Sequence, residues 1–176
     1  MKTMWCMALV FLTFVSASVA EKWETDFEKA KEMAQDSNRY LLINFTGSDW
    51  CGWCIKLDEE VFSKKAFKQY AEDNLVAVTI DFPRRKQLKK SLQEQNEALM
   101  KQYGVRGFPT ILILSPSGET VAQTGYQAGG AEKYVEHLQG YIDPHRAKNN
   151  IPAPSGSSSG AEKSRIEQLK ARGAGK

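Results

Sequence analysis

Apolar and polar positions along the chain follow two rhythms, stretches of helical period and short continuous runs. Phe27, Ala30, Met33 and Ala34 recur at helical spacing behind Thr25 or Asp26, either of which can cap, so a helix is expected to about Asp36. Tyr40-Leu41-Leu42-Ile43-Asn44-Phe45 has the length and character of a strand, followed by a loop, Thr46-Gly47-Ser48-Asp49. A second helix is expected from about Trp50 or Cys51 to about Glu72. Its apolar stripe would be Ile55, Leu57, Val61, Phe62, Ala66 and Tyr70, with Asp58, Glu59, Lys64, Lys65 and Lys68 mostly off it. Asn74 to Asp81 is rich in β-branched residues and predicts a buried strand closed by Phe82-Pro83. Residues 84–103 predict a helix with Leu88, Leu92, Leu99 and Tyr103 on one face and Gly104 as its stop. Thr110 to Leu114, the turn Ser115-Pro116-Ser117-Gly118 and Glu119 to Thr124 predict a β-hairpin. A last helix is expected from about Ala131 to Tyr141, stopped by Asp143-Pro144.

The order is αβαβαββα. Strands separated by helices imply parallel crossovers and the final hairpin adds an antiparallel edge, so the expected fold is α/β, one central mixed sheet flanked by helices. A length of 176 residues with 41% hydrophobic residues suits one domain and is too apolar for a disordered chain. Beyond Pro144 the composition changes. Ile151-Pro152-Ala153-Pro154 and the Ser/Gly run 155–160 read as a linker, and 161–172 as a short basic helix with no core to join. Residues 21–144 are therefore the expected domain and 145–176 a flexible basic tail.

The first twenty residues have the make-up of a cleavable signal peptide. Lys2 supplies the positive start, Trp5 to Val15 an 11-residue apolar run, and Ser18-Val19-Ala20 small residues before Glu21. At a helical rise the run covers about 16 Å, roughly half a bilayer core, so stable membrane insertion is not expected. The expected location is exported, in the periplasm or secreted. Cleavage removes Cys6 and leaves Cys51 and Cys54 as the only pair.

Net charge narrows the partners. The +3 total resides in the tail: residues 145–176 carry seven Lys/Arg against Glu162 and Glu167. Residues 21–144 carry 16 basic against 19 acidic side chains, which removes most support for nucleic acid as a partner. The cluster Arg84-Arg85-Lys86 with Lys89-Lys90 reads as a solvated helix face.

Chemistry concentrates in Trp50-Cys51-Gly52-Trp53-Cys54, where a loop gives way to a helix. A spacing of three puts both sulfurs on one helix face within disulfide reach. Cys51, at the helix start, meets unpaired backbone N–H groups and the positive end of the dipole, which favour thiolate. Cys54 lies a turn deeper and is less accessible. Cys51 is thus the expected nucleophile on a substrate disulfide and Cys54 the residue that resolves the mixed disulfide. Zinc would require a second Cys pair or well-placed histidines, and His137 and His145 lie far away in sequence, so no metal is expected and both histidines are read as exposed. A four-residue loop is also too short for a disulfide to act mainly as a staple.

A second signal is Val105-Arg106-Gly107-Phe108-Pro109-Thr110 ahead of a strand. Together with the Cys-x-x-Cys and the element order, over about residues 22–142, it resembles the thioredoxin superfamily. The segment Gly47 to Cys54 is most similar to exported thioredoxin-like proteins. The resemblance implies a redox-active disulfide between Cys51 and Cys54, a cis-proline at Pro109 and an extended substrate segment beside Phe108. It also implies a thiol–disulfide oxidoreductase, with reductase direction the expectation. Its partners would be protein disulfide substrates and an upstream dithiol, with no bound cofactor and a monomeric state. The family's buried Asp in the strand before the motif is here Asn44, which cannot take up a proton. Glu59, Glu60 and Asp49 are candidate replacements. Trp50 and Trp53 bracket the pair and are expected to join Phe108 and Pro109 as an apolar rim for substrate. The rival reading is a peptide-binding chaperone or adaptor on the same fold, against which the intact cysteine pair argues.

Overall fold

Period-two alternation in the strands sorts side chains onto two faces, and each face builds its own core. The structure is a computed structural model that describes residues 23–154. The expected signal segment with Cys6, and the expected Ser/Gly linker and basic helix past residue 154, lie outside the described residues. Helix α1 (Phe27–Ser37) is capped by Asp26, whose side chain accepts from the Lys29 amide, and ends at Asn38 in the left-handed region. Strand β1 (Tyr40–Thr46) follows. After the cysteines come α2 (Gly52–Leu57), a π-helical turn over Asp58–Phe62, and α3 (Lys65–Asn74). The remainder is β2 (Leu75–Asp81), α4 (Lys90–Gln102), β3 (Thr110–Leu114), β4 (Thr120–Thr124) and α5 (Gly130–Lys148).

The sheet order is β2-β1-β3-β4. Tyr40 and Leu42 of β1, with Ile111 and Ile113 of β3, meet Leu57, Val61, Phe62, Phe67, Tyr134 and Leu138 on one face. Leu41, Ile43 and Phe45, with Leu112 and Leu114, meet Phe27, Ala30, Ala34 and Leu99 on the other. This is the α/β fold expected, a mixed sheet between two helical layers.

Five local expectations are corrected. The helix over 50–72 is not continuous. The stripe steps five residues from Phe62 to Phe67, more than one 3.6-residue turn, and both are buried. The π turn takes up the mismatch, with the Ser63 amide donating to the Asp58 carbonyl at 2.8 Å, and Lys64 is extended before α3 begins. Residues 84–89 are not helical, because the Asp49 carboxylate accepts from the Arg84 and Arg85 amides at 2.9 and 2.7 Å. The basic cluster is therefore largely a loop.

Strand β3 runs antiparallel to β1, and among the described strands only β1 and β2 pair in parallel. Residues 103–109 bring the chain back to the carboxyl end of β1, where Thr110 pairs with Phe45. That placement sets Pro109 beside the loop that carries the cysteines. Finally, α5 runs through Pro144 to Lys148. Leu138 and Ile142 are buried on the near side of the proline, and beyond it Tyr40 Oη lies 2.9 Å from His145 Nδ1. Burial and this contact offset the one backbone hydrogen bond a proline forfeits. Both histidines are half-buried rather than exposed, His137 Nε2 lying 2.8 Å from Thr124 Oγ1.

The edge of β2 away from β1 is partly covered by Glu24, which pairs with Val78 through hydrogen bonds to Ala77 and Thr79 of 2.9 and 2.8 Å. Truncation of fully buried Phe67, which packs on Phe62 and Trp23, should cost about 3–5 kcal/mol in denaturant unfolding. A loss under about 1 kcal/mol would contradict the placement of this core.

Candidate active site

The reactive segment begins where β1 leaves the sheet. Gly47 turns the chain, its carbonyl accepting from the Trp50 and Cys51 amides at 3.1 and 2.8 Å. A Cβ on Gly47 would lie 2.5 Å from the Trp50 indole, so only glycine leaves room for that ring. The indole Nε1 donates to the Phe82 carbonyl at 2.8 Å, its ring meets Phe108 edge-on at 5.9 Å, and the Arg84 guanidinium stacks 3.7 Å over it. Trp50 is thus half-buried and fastens three loops together.

Cys51 occupies the N-cap of α2 and is disulfide-bonded to Cys54, with Cα atoms 5.2 Å apart. The Cys51 sulfur accepts from the Cys54 amide at 3.3 Å. The expected contrast in exposure is absent: the two residues are 7% and 6% exposed. What differs is their surroundings. Cys51 holds the capping position at the end of a six-residue helix, facing its unpaired amides. Cys54 lines a cavity of about 320 Å³ behind the motif, shared with Asn44, Ser48, Asp58, Glu59 and Thr79. The Asn44 Oδ1 is buried with no hydrogen-bond partner.

The three acids expected to replace a buried Asp separate cleanly. Asp49 is engaged by the Arg84 and Arg85 amides. Glu60 accepts from Tyr126 Oη at 2.6 Å and pairs with Lys56 at 3.8 Å. Glu59 lines the Cys54 cavity, and Asp58, which sequence reasoning passed over, lines it too.

Around the disulfide, Trp53 is 58% exposed, the most exposed of the large apolar residues described. Its ring is supported at 5.2 Å by Tyr126, with Lys56 Nζ 5.2 Å above it. Hydrogen bonding to Glu60 pushes the Tyr126 hydroxyl above its ordinary pKa. On the other side the Phe108–Pro109 peptide is cis, and Phe108 stacks on Phe82 at 5.2 Å. Both Phe108 and Pro109 are half-buried. Tyr126, Lys56, Phe82 and Arg84 belong to this rim but carry no local motif that marks them in the sequence.

Residues 27–146 match the model of a family described as a thioredoxin-like domain. The chain belongs to the thioredoxin-like domain family. This thioredoxin-like domain is 32% identical over 118 residues to the disulfide bond reductase DsbH of Chlamydia pneumoniae, covering 67% of this chain and 70% of that protein. It is 25% identical over 103 residues to the thioredoxin-related protein DsbJ of the same organism, covering 58% of this chain and 30% of DsbJ. A solved DsbH oxidoreductase superposes with a TM-score of 0.68 at 29% identity, over 78% of this chain and 95% of that one. With its Cys51–Cys54 disulfide, the thioredoxin-like domain is of the thiol–disulfide oxidoreductase type.

The anchor between Asp49 and the 84–85 amides has a pH signature. Its carboxyl is held below the ordinary value, chiefly by the Arg84 amide. Because the folded pKa is the depressed one, the anchor is at full strength above the unfolded carboxylate value and is lost as pH falls through the folded one. In a protein that lacks residues 1–20 and carries Trp23→Phe and Trp53→Phe, Trp50 is the one remaining tryptophan and its fluorescence should change in a step below about pH 4. That step should vanish in Asp49→Ala. An unchanged acid step in the variant would contradict the anchoring role.

Proposed function

We propose that the protein is an exported, monomeric reductase of protein disulfides, working through the Cys51–Cys54 pair. The observation that carries this reading is Cys51 at the N-cap, its sulfur accepting the Cys54 N–H. Negative charge on that sulfur is favoured by the same hydrogen bond and by the helix start, so the thiolate is populated at neutral pH where a free cysteine, of pKa about 8.5, is mostly protonated. The likeness to the disulfide bond reductase of Chlamydia pneumoniae supports the reductive direction, and the composition of residues 1–20 supports export.

The cycle balances within the pair. The Cys51 thiolate attacks one sulfur of a substrate disulfide, forming a mixed disulfide, and the other substrate sulfur leaves as a thiolate. Cys54 then attacks the Cys51 sulfur, closing the intramolecular disulfide and releasing the second substrate thiolate. Two electrons pass to the substrate, and an upstream dithiol partner returns two by the reverse exchange. The cysteines carry both electrons themselves, so the exchange needs no bound cofactor. Trp53, Phe108 and Pro109 form the apolar rim that receives the substrate chain, and Trp50 holds that rim in shape.

Cys54 must lose its proton before it can resolve the mixed disulfide. Asn44 cannot take it, so the proton leaves through the cavity lined by Asp58 and Glu59. Cys51→Ser should abolish reduction of an insulin-like disulfide, and Cys54→Ala should accumulate a mixed disulfide with the substrate. Undiminished turnover by the first variant would overturn the role of Cys51. The double variant Asp58→Asn, Glu59→Gln should lengthen the life of the mixed disulfide on the order of tenfold or more at neutral pH, with recovery as pH rises. A pH profile identical to the unmodified protein would remove these acids from the proton path.

A further inference from the structure

The domain is slightly acidic, yet one short stretch of it concentrates positive charge. Of the 16 basic residues between 21 and 144, five (Arg84, Arg85, Lys86, Lys89 and Lys90) fall within seven positions. All five are exposed. Among the described residues only Lys90 of the five lies within ion-pair distance of an acid, Glu94 at 3.7 Å. The acids packed nearest take hydrogen bonds rather than ion pairs: Asp49 from the Arg84 and Arg85 amides within the loop, Asp81 from Ser48, and Glu97 from Gln93, so their three charges offset part of the five. Helix α4 starts at this point with no side-chain cap, so the positive end of its dipole adds to the same field.

This charge is built into the reactive edge. Arg84 stacks on Trp50, the residue before Cys51, and Phe82 stacks on Phe108, the residue before Pro109. Between the loop and α4 lies a cavity of about 520 Å³, whose wall holds Arg84, Lys86 and Lys90 against Asp81 and Glu97, a surplus of one positive charge. Asn96 is buried and fixed by donating to the Asp81 carbonyl at 2.8 Å, which holds the cavity floor to the end of β2. Following α2, the π turn carries Asp58, Glu59 and Glu60, the first two lining the Cys54 cavity and the third paired with Lys56.

We propose that the 84–90 loop is a docking surface for an acidic segment flanking the reactive cysteine of a protein substrate or partner. The inference rests on the reading of the protein as a thiol–disulfide reductase and names the kind of polypeptide it selects. A polypeptide fits better than an anionic membrane, because a bilayer seated on this loop would cover the edge through which Cys51 must be reached. Opposite charges concentrate a partner at a cleft and raise association rates, an effect that weakens with salt.

The test compares the full mature protein, reduced, against three disulfide-linked peptides of equal length whose flanks are acidic, neutral or basic. The acidic peptide should be exchanged about tenfold faster than the basic one at low ionic strength. The ratio should shrink towards one in high salt and fall to one or invert in Lys86→Glu, Lys89→Glu. Equal rates for acidic and basic peptides, with the neutral peptide exchanged normally, would overturn the docking role alone. Failure to exchange even the neutral peptide would contradict the reductase reading and the docking role with it. Cosedimentation with phosphatidylglycerol vesicles that is lost in the same variant, combined with no peptide preference, would assign the loop to a membrane surface and overturn the proposal.

Discussion

The reactive end of the molecule depends on one tight turn, Gly47 to Cys51, at the carboxyl end of β1. The Gly47 carbonyl takes two amides there, and the missing side chain admits the Trp50 ring. With the ring in place, its N–H fixes the Phe82 loop and its edge meets Phe108. With the turn in place, Cys51 has to begin a helix. A glycine without side chain, an indole and a helix start thus make one constraint, and the chemistry follows from it.

The constraint also explains why the sheet is wired as it is. The loops that reach Cys51 arrive from different strands: β1 delivers the cysteines, β2 delivers Phe82 and Arg84, and the turn into β3 delivers Phe108 and Pro109. They converge because β1 and β2 run parallel to the same end and β3 starts from that end, Thr110 against Phe45. Gly125, after β4, packs so close to Pro109 that a Cβ would stand 3.1 Å from its carbonyl oxygen. The fourth strand therefore seats the proline loop from behind.

Much of this was legible from the chain alone. The short apolar run Tyr40 to Phe45 marked a strand, and the Cys-x-x-Cys with the later Phe108-Pro109 marked the chemistry. What escaped reading depended on long-range contacts or on conflicts between local rules. Residues 84–89 follow helical periodicity, but a carboxylate some 35 positions earlier takes their amides. Pro144 is a local stop overruled by a histidine meeting Tyr40 across the domain. The π turn was visible in principle, since Phe62 and Phe67 cannot share a regular stripe, but Ala66 and Tyr70 offered a smoother pattern. Support of Trp53 by Tyr126, and the Cys54 cavity with Asp58, come from positions that only the folded chain brings together.

The two sulfurs differ in environment instead of exposure. One caps a short helix and receives its amide, and the other faces an acid-lined cavity beside an Asn whose buried Oδ1 has no partner. The most direct test is titration of the Cys51 thiol in the reduced protein, followed by thiolate absorbance in a Cys54→Ala background. The account predicts a pKa well below the 8.5 or so of a free cysteine. A value at or above that of the free amino acid would contradict it.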